Sequence, residues 1–370
     1  MDVIMVNGNP VAPDPRATKV AKSLTRNGYN VTILAWDRVG LFCKIERNDD
    51  FTIHRFKFKS PSGRLSLVFY LPIWWLFEFS WLVRHKWDIV HAADFVTLVP
   101  ALAAAKLKRK HIIYDIYDFY ADNAPLSTPR IFRQAISNLD KLLMKFTDGL
   151  IIADESRFPQ IGNNSKKAIV ITNSPEDALE NDLISSDSNS NNGKFLIFYA
   201  GHLSKERGFS QIIPAIIDMD DVQLVIAGFG KDEHELMQLF IKSKNVKYIG
   251  RISYEDVIRW SLKADLLFAL YDTNIPNNKY ASPNKLFEAM MCGKPILVNK
   301  GTAMADLVYK KKCGLIVDYN PEDIKKAIKL LKDDPTLCMK LGNNGRKAYE
   351  MNYNWKIMES RLLNIYHNLK

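Results

Sequence analysis

Short apolar runs alternate with longer amphipathic ones along most of this 370-residue chain. Residues 3–7 read as a buried strand, and a Pro-rich loop, N-G-N-P-V-A-P-D-P-R, follows. Helical spacing runs from 17 to 26, stops at Asn27-Gly28 and gives way to a strand at 31–35. This is the βαβ opening of a parallel sheet. The same alternation predicts strands at 87–93, 112–115 and 168–172 and within T-D-G-L-I-I-A-D-E-S, with helices over 96–108 and 131–146. A second series begins at 195–200 and continues with strands at 222–227, 246–249, 264–271, 296–298 and 314–317. A helix is expected over 321–332, and a terminal helix over 354–370 has Met358, Leu362, Ile365 and Tyr366 on one face. Between the two series, residues 182–193, with S-S-D-S-N-S-N-N-G at their core, are too polar to bury apolar area and read as a flexible connector. The pattern predicts an α/β chain of two doubly wound units without a short internal repeat. Their bounds are expected at 1–175 and 176–352, followed by the terminal helix at 353–370.

One stretch breaks the alternation. Residues 65–83, L-S-L-V-F-Y-L-P-I-W-W-L-F-E-F-S-W-L-V, approach the roughly 20 residues of a membrane span. Pro72 divides them, and Glu78 would be costly at a bilayer centre. Pro72 is therefore expected to start a helix ending near Arg84. Trp74, Trp75 and Trp81, close to Arg84, His85 and Lys86, suit a membrane interface. An apolar helix packed against the first sheet is the alternative. Surface attachment, not spanning, is the expectation.

Composition is that of a globular protein, with 47% hydrophobic and 25% charged residues. Length and charge sharpen the picture. A chain this long suits two lobes. The net charge of +10 is concentrated in residues 1–175, which hold 24 Lys and Arg against 16 Asp and Glu. No aromatic-basic signature accompanies that excess, so no nucleic-acid partner is expected. An anionic membrane surface or a polyphosphate acceptor fits it. Cys43, Cys292, Cys313 and Cys338 lack C-x-x-C spacing, which points to a reducing compartment and away from a structural zinc site. The start M-D-V-I-M-V-N-G reads as a strand and not as a signal peptide. A cytoplasmic location, peripheral on the cytoplasmic membrane face, is the resulting expectation.

Candidate chemistry lies in the turns after strands. In G-H-L-S-K-E-R-G, Gly201 permits close backbone approach and the following cations could neutralise a diphosphate. G-F-G-K-D-E-H-E-L has Glu233 where a dinucleotide fingerprint would place its third glycine, which argues against NAD. The richest stretch is 281–298, A-S-P-N-K-L-F-E-A-M-M-C-G-K-P-I-L-V. Ser282 is expected to cap a helix with Pro283 in its first turn, Gly293 closes that helix, and Pro295 leads into a strand. The helix N-terminus could seat phosphate, and Glu288, more than a turn further on, could accept hydrogen bonds from the vicinal hydroxyls of a ribose. Asp94, Asp115, Asp118 and Asp122 are expected near the carboxyl edge of the first sheet, where open α/β sheets bind ligands. His91, inside an apolar strand, reads as a core histidine.

S-P-N-K-L-F-E followed by G-K-P resembles the nucleotide-sugar signature of the retaining glycosyltransferases of family 4. The resemblance covers nearly the whole chain and is strongest over 195–350. It implies a GT-B architecture: two Rossmann-like, doubly wound parallel-sheet lobes facing an interlobe cleft. It also implies transfer of a sugar from a nucleoside diphosphate sugar to a glycan or lipid-linked acceptor, with retention at the anomeric carbon, no metal and no cofactor. Donor contacts would come from Gly201, His202, Lys205, Arg207, Arg251, Ser282, Pro283, Asn284, Lys285 and Glu288, with Arg207 and Glu288 central to catalysis. Asp14, Arg16, Asp94 and Asp118 would line the acceptor side. Three positions depart from the family pattern: His202 replaces the usual Arg, Ala93 a His, and Tyr280 the earlier of two Glu residues. Three rival readings follow: an epimerase or hydrolase of the same architecture, a catalytically idle sugar-nucleotide-binding protein, and a basic nucleic-acid-binding module.

Overall fold

The computed structural model describes residues 1–60, 64–123, 128–179 and 193–369. The expected connector therefore lies, but for Gly193, outside the described residues. The chain divides into two compact units, Met1–Thr172 with Glu359–Lys370, and Asn173–Met358.

The first unit runs β1 (Asp2–Asn7), α1 (Pro15–Arg26), β2 (Asn30–Asp37), β3 (Ile45–Arg47), β4 (Thr52–Lys57), α2 (Arg64–Arg84), β5 (Ile89–Ala93) and α3 (Phe95–Lys108). It continues with β6 (His111–Ile116), α4 (Tyr120–Asn123), α5 (Arg130–Met144), β7 (Gly149–Ile152), α6 (Phe158–Ile161) and β8 (Ala168–Val170). The sheet order is β3-β4-β2-β1-β5-β6-β7-β8, parallel throughout except for β3. Strand residues are buried on both faces, as a helix-covered parallel sheet requires. One face, carrying Val6, Trp36, Ala92, Tyr114 and Ile152, packs against α2, α3, α5 and α6. On the other face, Tyr366 stacks against His91 and packs edge-on against Tyr29.

The second unit runs β9 (Phe195–His202), α7 (Phe209–Ile216), β10 (Val222–Phe229), α8 (Glu233–Ile241), β11 (Val246–Tyr248), α9 (Tyr254–Lys263), β12 (Leu266–Ala269) and α10 (Asn284–Met291). Then come β13 (Ile296–Asn299), α11 (Ala303–Lys311), β14 (Gly314–Val317), α12 (Pro321–Asp333) and α13 (Pro335–Ala348), before α14 (Trp355–His367). Its all-parallel order is β11-β10-β9-β12-β13-β14. Strand order reverses between β9 and β12, so the loops after these two strands open a crevice at the sheet's carboxyl edge. The G-F-G turn after β10 has a packing role. A Cβ on Gly228 would lie 1.9 Å from the Gly201 carbonyl oxygen, and one on Gly230 would lie 2.1 Å from that of Leu203.

The tryptophan-rich helix departs from expectation. α2 is continuous from Arg64, with Pro72 inside it. Among the described residues no helix is long and apolar enough to cross a membrane. Trp74 is fully buried and stacks on Trp36 at 5.5 Å, so it cannot be the membrane contact expected of it. Trp75 is half-buried and donates its indole N–H to the Val96 carbonyl, while half-buried Trp81 stacks on His85 at 3.9 Å. Each of these rings thus packs against the protein itself. Glu78, one turn after Trp74, is buried without a hydrogen-bond partner, and burial lifts its pKa well above the usual range. Trp74→Ala should lower unfolding free energy by about 3–5 kcal/mol in urea denaturation, the usual cost of emptying a core aromatic site. An interfacial tryptophan would leave stability unchanged.

Candidate functional site

In the second unit, the loops after β9 and β12 bring two cations to one pair of tyrosines. Lys285 Nζ lies 4.1 Å above the Tyr199 ring and 5.8 Å from that of Tyr271. The Arg207 guanidinium lies 4.0 Å above the Tyr271 ring. The negative ring faces stabilise both charges, that of buried Lys285 and that of half-buried Arg207. Burial works to lower the Lys285 pKa, but the Tyr199 and Tyr271 hydroxyls outweigh it and the pKa is raised. Tyr199 also donates its hydroxyl to the His202 carbonyl at 2.8 Å.

Glycines make this convergence possible. Gly201 adopts φ +150°, and a Cβ there would meet Lys285 Nζ at 3.2 Å. Gly208 adopts φ +75°, and its Cβ would sit 2.4 Å from that of Leu270. Asn299 fixes Tyr271 by accepting from its backbone N–H at 2.8 Å and donating to its carbonyl at 3.0 Å.

α10 starts one residue later than expected. Pro283 occupies the cap position, no side chain caps the helix, and Ser282 Oγ is buried without a partner. Ser282 is therefore not the cap. The first amides of α10 are left for a ligand or water, with the partial positive end of the helix behind them. Asn284 is half-buried at the first position, and Lys285 follows it. Glu288, one turn further, is 5% exposed. The Tyr254 hydroxyl hydrogen-bonds to it, and burial followed by the Glu288 charge pushes that hydroxyl's pKa well up.

The other charged or titratable donor-side candidates are exposed. Lys205 is exposed and committed to Glu235 at 2.7 Å, so its ammonium does not join the Arg207–Lys285 pair. His202 is exposed, and partial desolvation followed by the Arg207 charge lowers its pKa. Arg251 is exposed, with its guanidinium 4.5 Å above the Phe229 ring. Tyr199, Tyr271 and Tyr254 were not singled out from the sequence. The only hint was the place of Tyr199 and Tyr271 at strand ends, Y-A-G-H and A-L-Y-D, and of Tyr254 at a helix start, S-Y-E-D.

In the first unit, the expected acceptor residues serve the fold. Asp14 caps α1 through Ala17 N at 3.0 Å and accepts from Asn7 and Asn9. Arg16 is 5% exposed, forks onto both Asp115 oxygens at 2.7 and 3.0 Å and donates to the Ile171 carbonyl. That bidentate, buried arrangement ties Arg16 to the sheet edge of its own unit. Burial raises the Asp115 pKa, but Arg16 and then His91 carry it below the usual carboxylate range. His91 is a fully buried core histidine, bonded to the Tyr366 hydroxyl at 2.8 Å. Asp118 pairs with the buried guanidinium of Arg157 at 2.8 Å.

Asp94 differs from these. It ends β5 in a strained conformation, φ +62° and ψ 166°, and accepts from the backbone N–H of Tyr117 and Asp118. Burial, then the Asp118 charge, lifts its carboxyl to about 8. A folded-state pKa raised this far favours the native state fully below the unfolded value of about 4, and the contribution is lost as pH rises to about 8. Asp94→Asn should therefore gain in melting temperature over the parent between pH 4 and pH 8, with a constant difference above. A difference independent of pH would refute the shift. Among the described residues, no group of three or more His, Cys, Asp or Glu is arranged to hold a metal ion.

Known proteins resemble this chain in sequence and in fold. Residues 180–348 match the family model described as Glycosyl transferases group 1, and residues 16–156 that described as Glycosyltransferase Family 4. A GDP-mannose-dependent monoacylated alpha-(1-6)-phosphatidylinositol monomannoside mannosyltransferase of Corynebacterium glutamicum is 30% identical over 168 residues, 45% of this chain and 43% of the relative. The chain thus spans less than half the length of that relative. An uncharacterized glycosyltransferase of Haemophilus influenzae is 24% identical over 361 residues, 94% of each chain. The structure of Anabaena HepE in complex with UDP-glucose superposes with a TM-score of 0.72 at 16% identity, covering 100% of both chains. The two glycosyltransferase models thus fall on different parts of the chain, and its two parallel-sheet units have the GT-B fold.

Proposed function

We propose that the protein transfers a sugar from a nucleoside diphosphate sugar to a glycan or lipid-linked acceptor, with retention of anomeric configuration and without a metal. The observation that carries this reading is the placement of Arg207 and Lys285 on Tyr271, beside a glycine-lined turn and an uncapped helix start. Two cations and a row of amides there match a diphosphate, whose charge grows as the sugar leaves. Glu288 would accept from the ribose hydroxyls and exchange with its Tyr254 partner. Retention follows if the leaving phosphate itself takes the acceptor proton on the face it departs from, which leaves no protein base to name. The UDP-glucose seen in the Anabaena structure supports a nucleotide-sugar donor. The lipid acceptor in the Corynebacterium relative's name supports a lipid-linked one.

The decisive experiment is a thermal-shift screen of nucleoside diphosphate sugars followed by turnover on lipid-linked acceptors. Arg207→Ala should lower kcat by about 100- to 1000-fold, as does loss of one transition-state donor. Glu288→Ala should weaken donor binding by about 10- to 100-fold, the scale of a charged hydrogen bond. EDTA should leave turnover unchanged. Unaltered donor affinity in the Glu288 variant would overturn the site. Donor binding without turnover on any acceptor would favour the idle sugar-nucleotide-binding protein, and sugar release without acceptor the hydrolase.

A further inference from the structure

Helix α5 is apolar on the face turned away from the sheet as well as on the face that meets it. Its buried residues are Asp140 and Met144, and Asp140 accepts from the Tyr114 hydroxyl at 3.1 Å. Ile136 and Leu143 pack inward beside them, but a second set of large apolar side chains faces outward: Ile131 is 75% exposed, Phe132 62% and Leu142 47%, with Leu139 and Phe146, just past its end, also exposed. At 100° per residue these five positions fall within one stripe about 100° wide. Arg130, Lys141 and Lys145 run along one border of that stripe.

The neighbouring helices lie in the same layer and also expose apolar side chains. α3 touches both α2 and α5, and all three bury residues in the cluster on one face of the first sheet. On α2, Phe69, Ile73 and Leu76 are exposed and lie one turn apart. On α3, Leu107 and Lys106 are exposed. The three helices carry only two carboxylates, Glu78 and Asp140, and both are buried. The contiguous apolar stripe on α5, with further exposed apolar side chains on the helices beside it, marks an interaction surface. Its charges are all of one sign, which disfavours a second copy of the chain, because two such faces would bring cations together.

We infer that the outer surface of α2, α3 and α5 docks on an anionic lipid bilayer, with the apolar stripes entering the headgroup boundary and the basic border meeting lipid phosphates. This placement does not depend on the proposed transfer reaction, and it moves the membrane contact from the tryptophans to side chains that solvent reaches. Apolar insertion and attraction to anionic lipid act together in such helices.

The test is co-sedimentation of the full chain with vesicles of phosphatidylglycerol and phosphatidylcholine, and with phosphatidylcholine alone. The parent should pellet with the anionic vesicles, and far less with the neutral ones. Ile131→Glu with Leu142→Glu, both at exposed positions, should cut the bound fraction at least tenfold while the melting temperature stays within a degree or two. Lys141→Glu with Lys145→Glu should make the remaining binding insensitive to salt. A parent that stays in solution with anionic vesicles would overturn the inference. So would a double-Glu variant that pellets like the parent, or one that instead dissolves a dimer seen by sedimentation velocity.

Discussion

Two like charges held around a pair of tyrosine rings shape the carboxyl edge of the second unit, and much of its local architecture permits them. Arg207 and Lys285 repel each other, and low exposure denies Lys285 the water that would screen it. The faces of Tyr199 and Tyr271 supply the compensation. Their rings are in turn fixed by the strand end that carries Tyr199 and by the paired hydrogen bonds between Asn299 and Tyr271. The loops can approach this closely only because Gly201 and Gly208 carry no Cβ. A polyanion placed between the two cations would relieve that repulsion.

The first unit solves the opposite problem. Its sheet edge gathers acidic and basic groups that neutralise one another: Arg16 with Asp115, Arg157 with Asp118, and Asp14 with the start of α1. Groups so engaged would have to give up buried hydrogen bonds to hold a substrate, at a cost that a ligand contact would only offset. Asp94 stands apart because its carboxyl is disfavoured as an anion and its backbone is strained.

Much of the fold was legible in the sequence because parallel strands read as short continuous apolar runs and their helices as periodic ones, and each carries its signal locally. The α10 segment was legible for the same reason, since Pro283, Gly293 and Pro295 act on neighbouring backbone. Ser282 was misjudged because a cap depends on where one hydroxyl rotates, and here Pro283 holds the cap position instead. Trp74 was misjudged because apolar content says nothing of which side of a helix meets the sheet; Trp36, 38 positions away, decides that. The tyrosines of the site stayed hidden because a ring beneath a cation is a long-range fact without a local pattern. The outward face of α5 escaped notice because its periodicity is that of an ordinary core-facing helix, and only the sheet shows that Asp140 and not Leu139 points inward.

Gly208 bears on how this scaffold can be varied. Its missing carbon sets the spacing between the loop that carries Arg207 and the chain at Leu270, which leads into Tyr271 and on to α10. Any side chain there would drive the two loops apart and move one cation away from the other. A mutagenesis library aimed at donor preference should therefore hold Gly208 and Gly201 constant and diversify the exposed rim, at His202, Lys205 and Arg251. Those side chains can change size without altering the distance between the charges.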